Sequence, residues 1–369
     1  MSDTTVERTP RPSGDGPSGA ALVNLADYRE AAREILPAEV FDYLEGGAAD
    51  EHTVRWNQQT YRQLALLPRV LTGHASVDTG CSVFDTALDS PILLAPAASH
   101  RLFHPDGEAA TARGAAEAGA LMTVSTFSSQ TVEEIGAAAG GPWWFQLYVQ
   151  RDRGLTAELV RRARAASARA LAVTVDTPVT GLRERDLRNG FALPSHGSPA
   201  NLPHAPGTSA HGAIHDPRID PAVDWSDLAA LGEVSGLPVL AKGILRAEDA
   251  KRAAEAGIGV WISNHGGRNL DTAASTLSAL PAIAERVAGR VPVIIDGGVR
   301  RGTDVVKALA LGADAVAVGR PYIWGLAVDG AGGVRDVIRG LRRETEVAMA
   351  LVGAATLDDL TPDLVTAAR

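Results

Sequence analysis

The chain is 369 residues long, 45% of them hydrophobic, and its formal net charge at pH 7 is -9. This length and apolar content suit two ordinary domains or one large α/β barrel with a substantial core. The negative charge, without a basic stripe interleaved with aromatic side chains, argues against a nucleic-acid partner. The single cysteine, Cys81, excludes an internal disulfide and a multi-cysteine metal site.

The first twenty residues mix charged residues with Pro, Gly and Ser and contain no apolar segment. This composition is typical of a disordered tail and differs from that of a signal peptide. We therefore expect a tail over residues 1–20 and one domain over residues 21–369. No later run is long and apolar enough to span a bilayer, so we expect a cytoplasmic protein without a membrane partner.

Two amphipathic helices are predicted at the start of this domain, over residues 24–44 with a break at Pro37. The pair Gly46 and Gly47 should end the second helix. From Pro91 onward, short apolar segments alternate with Ala-rich helical segments. This alternation is the strongest indication of fold class in the sequence.

Eight of the apolar segments are predicted β-strands. They cover residues 91–98, 121–126, 143–149, 170–176, 238–243, 259–264, 292–297 and 315–320. Because helical segments separate most neighbours, the strands should pair in parallel, and eight such units favour an α/β (β/α)8 TIM barrel over about residues 91–352. The alternative is an open doubly wound sheet, but no G-x-G-x-x-G motif opens the first strand–helix turn.

One connection is much longer than the others. About fifty residues separate Asp176, at the end of the fourth strand, from the next convincing helix, and they are rich in Pro, Gly, Ser and His. A long loop in a compact domain is typical of a lid or a disordered segment, and we predict a lid. Its histidines, His196, His204, His211 and His215, are irregularly spaced without an acidic cluster nearby, so no metal site is expected there.

Polar residues end most of the predicted strands. In a barrel of this kind the active site lies at the carboxyl ends of the strands, so these side chains should face one cavity. They are Ser125, Gln146, Tyr148, Thr174, Asp176, Lys242, Ser263, His265, Arg268, Asp296 and Arg320. Each alone has an ordinary structural explanation, and it is their convergence on one face that favours a functional site.

The last two strands end in a pattern that suits an anion. Residues 297–300 read Gly-Gly-Val-Arg, and Gly319 precedes Arg320. Backbone N–H groups exposed by glycine, together with a guanidinium, bind phosphate oxygens well. We therefore predict a phosphorylated ligand, and Lys242 would supply a positive charge to a ring that becomes anionic on reduction.

His265 has three candidate roles. A hydrolase triad would need a G-x-S-x-G nucleophile elbow, which is absent, and a zinc site would need further ligands at helical or hairpin spacing. A general base with a carboxylate partner remains, and Asp176 is the candidate partner.

Eight motifs carry a resemblance to a known family: FDYLEGGA, LLAPAA, HPDGE, FQLY, VTVDTP, AKG, SNHGGRNLD and DGGVRRGTD. They resemble the FMN-dependent α-hydroxy acid oxidase and dehydrogenase family, which includes glycolate oxidase, lactate oxidase, mandelate dehydrogenase and hydroxymandelate oxidase. The resemblance covers nearly all of residues 25–353. The segments GLRERDLRNGFALP and SPANL are most similar to the hydroxymandelate oxidase branch.

The resemblance implies a catalytic set in which His265 is the base, Asp176 stabilises its imidazolium, Tyr148 lies against the substrate hydroxyl and Lys242 supports the flavin. Three residues would bind the substrate carboxylate: Tyr43, Arg183 and Arg268. The implied FMN contacts are Pro96, Ala97, Ala98, Ser125, Gln146, Thr174, Lys242, Ser263, Asp296, Gly297, Gly298, Arg300, Gly319 and Arg320.

Three further residues would border the substrate side chain: Arg101, Phe103 and Phe127. Phe127 stands where the glycolate oxidase pattern has a tryptophan, and Arg101 and Phe103 are bulkier than the residues expected there. These three residues would set the volume of the substrate pocket. The resemblance to the hydroxymandelate oxidase branch implies an aryl or otherwise bulky (S)-2-hydroxy acid as substrate.

The implied reaction oxidises this acid to the 2-oxo acid, by hydride transfer or through a carbanion, and O2 then reoxidises the flavin and releases hydrogen peroxide. Three alternatives remain open: a dehydrogenase that passes electrons to a quinone or protein, a monooxygenase that decarboxylates its product, and a binding module without activity. The resemblance also implies a homotetramer.

Overall fold

The computed structural model describes residues 21–203 and 216–368. The predicted tail over residues 1–20, and His204, His211 and His215 of the long loop, lie outside the described residues.

The strands are β1 (Leu64–Leu66), β2 (Cys81–Val83), β3 (Thr86–Leu88), β4 (Ile92–Leu94), β5 (Met122–Ser125), β6 (Trp143–Leu147), β7 (Leu171–Thr174), β8 (Val239–Ile244), β9 (Gly259–Ile262), β10 (Val293–Asp296), β11 (Ala315–Val318) and β12 (Val365–Ala367). The helices are α1 (Leu25–Ile35), α2 (Ala38–Glu45), α3 (His52–Arg62), α4 (Gly107–Glu117), α5 (Val132–Ala138), α6 (Arg153–Ala165), α7 (Glu184–Arg188), α8 (Trp225–Ser235), α9 (Ala247–Glu255), α10 (Thr276–Val287), α11 (Gly302–Ala310) and α12 (Arg320–Val352).

Strands β4 to β11 pair in parallel and in sequence order, and β11 pairs back to β4, which closes a barrel. Each of these strands overlaps one of the eight predicted segments. The (β/α)8 barrel is therefore confirmed, and the open-sheet alternative is wrong because the first and last strands of the series are hydrogen-bonded neighbours. Most predicted strands run too far at their carboxyl ends, as 91–98 does against the observed β4, because the chain leaves the ladder at the barrel mouth.

The barrel interior is filled by side chains from alternate positions of the strands. The indole rings of Trp144 and Trp261 meet nearly at right angles, with centroids 6.4 Å apart. The hairpin of β2 and β3 packs below them, and its Phe84 lies against Trp144 and against the first residue of β9, Gly259. The hairpin thus covers the amino end of the barrel, and the carboxyl end remains for a ligand.

Helices α1 and α2 confirm the two predicted amphipathic helices, and Gly46 ends the second as expected. Helix α3 follows them and was not predicted from the sequence. Its Asn57 exchanges two side-chain hydrogen bonds with Asn264, at 2.7 and 2.9 Å, just beyond the end of β9. This pair fixes the amino-terminal helices against the carboxyl end of the barrel.

The long connection after β7 contains the short helix α7, and the next helix, α8, starts at Trp225. An isolated antiparallel bridge between Gln150 and Ile219 ties the last part of this connection to the segment after β6. The longest helix, α12, bends where Asp329 and Gly330 leave helical geometry. Among the helices of the described ranges, none combines the length and apolar character needed to cross a membrane.

Candidate active site

A cavity of about 640 Å³ opens at the carboxyl ends of the barrel strands. Most residues predicted for the site line it: Tyr43, Pro96, Ala97, Ala98, Phe103, Ser125, Phe127, Gln146, Tyr148, Thr174, Arg183, Lys242, His265, Arg268, Asp296, Gly297, Gly298, Arg300, Gly319 and Arg320. Asp176 and Ser263 lie behind this lining and bond to residues in it. Arg101 is the one predicted residue that the structure does not bring to the cavity.

His265 and Asp176 form a pair at one side of the cavity, with Nδ1 of the histidine 3.1 Å from Oδ1 of the aspartate. His265 has a φ of +57°, and the two glycines after it are also left-handed. A side chain on Gly267 would collide with Val54, because its Cβ would lie 2.7 Å from Val54 Cγ2. Since left-handed backbone is costly for a residue other than glycine, the surrounding structure must hold His265 in this orientation.

Asp176 is held in its ionised form. Burial alone would raise the pKa of this carboxyl, but the charge and hydrogen bond of His265, with help from Lys242 and Thr177, keep the pKa below its usual range. Asn269 donates to Thr177 Oγ1 at 2.6 Å, so the threonine hydroxyl donates to Asp176 at 3.1 Å. An ionised Asp176 accepts the Nδ1–H of His265, which leaves Nε2 free to take a proton from the cavity.

The Tyr148 hydroxyl lies 3.3 Å from His265 Nε2. Burial, with the negative charge of Asp176 nearby, raises the tyrosine pKa well above its usual range, so this group stays a neutral hydroxyl. It can therefore donate a hydrogen bond to a ligand oxygen that lies beside both the hydroxyl and the histidine.

Two arginines flank the ring of Tyr43. The guanidinium carbon of Arg268 lies 5.1 Å from the ring centroid and that of Arg183 lies 5.9 Å away. Arg268 Nη1 donates to the carbonyls of Tyr43 and Gly46, at 2.7 and 2.8 Å. Burial, followed by the positive charge of Arg183, lowers the pKa of Arg268 to about 10. An anion between the two guanidiniums would relieve this repulsion, as a substrate carboxylate would.

Polar side chains at the strand ends form a buried network, which we call the strand frame: Ser125, Gln146, Thr174, Lys242, Ser263 and Asp296. Gln146 Nε2 donates to Thr174 Oγ1 at 2.8 Å. Lys242 Nζ donates to Ser263 Oγ at 3.0 Å and lies 3.4 Å from the Asp296 carboxylate. That carboxylate also accepts from Ser263 and Trp261, so its oxygens are engaged within the frame.

A positively charged subsite lies where the sequence predicts a phosphate. Arg320 donates to the carbonyls of Leu44, Gly46 and Gly266, and the guanidinium of Arg300 lies over the Trp324 ring at 5.0 Å. Burial lowers the pKa of both arginines, that of Arg300 to about 10. Within residues 21–203 and 216–368, neither guanidinium has a carboxylate partner in an ion pair.

The backbone at this subsite leaves room for a ligand. Gly297 and Gly298 are both left-handed, and a Cβ built on Gly319 meets no atom within 4 Å. Helix α12 begins at the next residue, so its free N–H groups point into the same space. Two half-buried guanidiniums, to which the described residues supply no carboxylate partner, and an open helix N-terminus fit the phosphate of a flavin mononucleotide.

The remaining side of the cavity comes from loops, and we call it the loop wall: Phe103, Phe127, Phe191, Asp216 and Arg218. The rings of Phe127 and Tyr148 are 5.1 Å apart, and Phe191 stacks on Tyr43 at 4.8 Å. Arg218 lies over Phe127 at 5.2 Å and pairs with Asp216 at 2.8 Å. Sequence reasoning missed Phe191, Asp216 and Arg218. All three lie in the long connection after β7, and Phe191 belongs to the segment GLRERDLRNGFALP.

Arg101 differs from the prediction that it borders the substrate. Its backbone N–H donates to Ser129 Oγ at 3.1 Å, and its side chain packs against Gly107 at the start of α4. The left-handed φ of +59° at Ser99 begins a tight turn here. This turn brings Phe103 to the cavity and leaves Arg101 outside its lining.

Comparison with known proteins identifies the family of this chain. The model of the family described as FMN-dependent dehydrogenase matches residues 32–367, which confirms the predicted family and its cofactor, FMN. A peroxisomal (S)-2-hydroxy-acid oxidase of Oryza sativa subsp. japonica is 44% identical, over 92% of this chain and 94% of the relative. An L-lactate oxidase of Nostoc sp. is 46% identical, over 92% of this chain and 96% of the relative.

The similar solved structures are likewise of proteins named for different acids. Mandelate oxidase with (S)-4-hydroxymandelic acid has a TM-score of 0.87 and 43% identity, over 92% of this chain and 97% of that one. A lactate oxidase of Pediococcus acidilactici has a TM-score of 0.88 and 38% identity, over 94% of this chain and 95% of that one. Relatives named for different acids are thus similarly close, so overall likeness does not choose the acid.

Proposed function

The chain belongs to the family of FMN-dependent 2-hydroxy acid oxidases and dehydrogenases, and we propose that it oxidises an aryl or similarly bulky (S)-2-hydroxy acid to the 2-oxo acid. In this proposal O2 is the electron acceptor and hydrogen peroxide is the second product. The observation that carries the proposal is the arrangement of His265, Asp176 and Tyr148 beside two guanidiniums in one cavity. A base and a carboxylate clamp at one site are what this reaction needs.

FMN supplies the acceptor for the two electrons that leave the substrate. The strand frame would hold its ring, with Lys242 as the buried positive charge and residues 96–98 along the ring edge. Arg300, Arg320 and the start of α12 would hold its phosphate. This placement is supported by the two guanidiniums, which have no carboxylate partner among the described residues, and by the open space at Gly319.

The proposed role of His265 is to take the proton at Nε2. In a hydride route this proton comes from the substrate hydroxyl, and in a carbanion route it comes from the α-carbon; the same nitrogen serves either route. Asp176 stabilises the imidazolium that results, because its carboxylate is ionised and already bonded to Nδ1. Tyr148 would donate to the substrate oxygen and so hold it beside Nε2.

The preference for a bulky acid is supported by the loop wall. Three phenylalanines, Phe103, Phe127 and Phe191, line the cavity, and aromatic walls favour an aryl side chain through stacking and burial. A cytoplasmic location and a homotetramer remain predictions. Light scattering during size-exclusion chromatography tests the tetramer.

Anaerobic reduction of the flavin tests the proposal, with (S)-2-hydroxy acids of increasing size and subsequent admission of oxygen. We expect (S)-mandelate-type acids to bleach the flavin absorbance faster than glycolate or lactate, and oxygen to restore it with one peroxide per oxo acid. Slow reoxidation in air would favour a dehydrogenase. Recovery of the acid with one carbon fewer would favour a monooxygenase, and no bleaching by any acid would favour a binding module.

A further inference from the structure

We propose that Asp216 and Arg218 form a specificity-determining subsite that recognises a hydroxyl group at the far end of an aryl 2-hydroxy acid. The inference rests on the proposed function, because the two residues lie in the same cavity as the catalytic groups. It adds a chemical criterion for the substrate: a ring that carries a hydroxyl should be preferred to the bare ring.

The two side chains are bound to each other and to the scaffold. Arg218 donates from Nε and Nη2 to the two carboxylate oxygens of Asp216, at 3.0 and 2.8 Å, and from its backbone N–H at 2.9 Å. The carbonyl of Arg218 accepts from the backbone N–H of Arg151 at 2.7 Å. The pair is therefore fixed to the segment that follows β6, with side-chain exposures of 24% for Arg218 and 19% for Asp216.

The position of the pair relative to the reacting groups follows from a series of contacts. Arg218 lies over the ring of Phe127, and Phe127 packs against Tyr148, whose hydroxyl is 3.3 Å from His265 Nε2. One aromatic ring thus separates the pair from the tyrosine beside the base. An aryl group that extends from the α-carbon along Phe127 would bring its far end towards Arg218 and Asp216.

The chemistry of the pair suits a neutral hydroxyl. Burial tends to raise the pKa of Asp216, but the hydrogen bonds and charge of Arg218 hold it below its usual range, so the carboxylate is an acceptor. The third guanidinium nitrogen, Nη1, makes no hydrogen bond to any other described residue and remains a donor. A phenolic hydroxyl both donates and accepts, whereas a second carboxylate on the substrate would be repelled by Asp216.

The test compares (S)-4-hydroxymandelate with (S)-mandelate, two acids that differ by one hydroxyl. We expect kcat/KM of the wild type to be about tenfold higher for the hydroxylated acid, since a hydrogen bond to a charged group is worth roughly 1.5 kcal/mol. In Arg218→Met and in Asp216→Leu the ratio of the two values should fall to near one. The matched control is Arg153→Met, which removes an arginine that pairs with Asp220 and Asp227 outside this cavity. It should keep the wild-type ratio.

The ratio is insensitive to damage that affects both acids equally, and the limiting rate of flavin reduction with mandelate reports whether each variant is intact. A wild-type ratio near one, or a preference for the hydroxylated acid that persists in Arg218→Met, would overturn the subsite. Flavin bleaching by both acids would still support the proposed function. If neither acid bleaches the flavin of the wild type, the proposed function fails and this inference fails with it.

Discussion

The strand frame and the loop wall enclose the same cavity, yet different interactions hold them. Gln146 and Lys242 of the frame are 2% and 4% exposed, and their hydrogen bonds run to other strand-end side chains. Arg218 of the wall keeps a quarter of its side chain exposed and is held by an ion pair and a ring contact. Buried, mutually bonded groups keep their geometry, whereas loop residues tolerate substitution.

This difference assigns separate tasks to the two regions. The frame and the residues fixed to it, such as His265, should determine whether flavin reduction occurs at all. The wall should determine which acid is reduced fastest. Substitutions in the two regions should therefore have effects that differ in kind as well as in size.

The largest expected effect comes from His265→Asn. Removing a general base costs about 100-fold to 10,000-fold, and we expect the rate of anaerobic flavin reduction to fall about 1,000-fold while FMN stays bound. Stopped-flow absorbance measures the rate. His196→Asn, at an exposed histidine of the connection after β7, is the control and should leave it unchanged. A loss of less than tenfold in the rate of flavin reduction in His265→Asn would show that the histidine is not the base.

Arg268→Met should weaken substrate binding more than it slows chemistry. The loss of a charge-assisted bidentate contact of about 3 kcal/mol predicts a KM roughly 100-fold higher. Arg268→Lys should recover part of this loss, because it restores the charge without the fork geometry. If kcat falls 100-fold and KM stays constant, Arg268 does not bind the substrate carboxylate.

Arg300→Met should weaken FMN binding by about 30-fold, because the variant loses one charged contact to the phosphate of roughly 2 kcal/mol. Flavin fluorescence during titration of the apoprotein gives the dissociation constant. The neighbouring variant Arg301→Met is a matched control, since Arg301 is more than half exposed and pairs with Glu344. Equal dissociation constants for the two variants would contradict the assigned phosphate subsite.

The smallest effect is a pH dependence of stability. Folding lowers the pKa of Asp176 below 3.8, so its ionised form adds stability above that pH and loses it as the pH falls through the lower folded value. The difference in unfolding midpoint between the wild type and Asp176→Asn should shrink as the pH falls below about pH 4. A difference that stays the same or grows below that pH would show that folding does not lower the pKa of Asp176.

The sequence predicts the barrel well because its strands are buried on both faces and so appear as apolar runs between helices. Helix α3 cannot be predicted in this way, because its buried positions are Thr53, Asn57 and Tyr61, which form no apolar periodic pattern. The β1–β12 pair joins Leu64–Leu66 to Val365–Ala367, which lie far apart in the sequence, and no local pattern indicates such a pairing.

The sequence likewise predicts one part of the site and not the other. The residues of the strand frame can be predicted from the strand ends, because every parallel strand of a barrel places its last residues at one face. Arg218 and Asp216 reach the cavity only through the path of a long loop, which tertiary contacts such as the Gln150–Ile219 bridge determine. The sequence does not reveal that Arg101 lies outside the cavity lining for a related reason, because one left-handed residue, Ser99, redirects the chain.

The most direct test of the account is single-turnover flavin reduction in Phe127→Trp, which changes the wall and leaves the frame intact. We expect the selectivity for mandelate over glycolate to change by about tenfold or more, as is usual when an apolar pocket changes size, while the limiting rate with mandelate stays within about threefold. An unchanged selectivity together with an equal loss of rate for both acids would contradict the division of tasks between frame and wall.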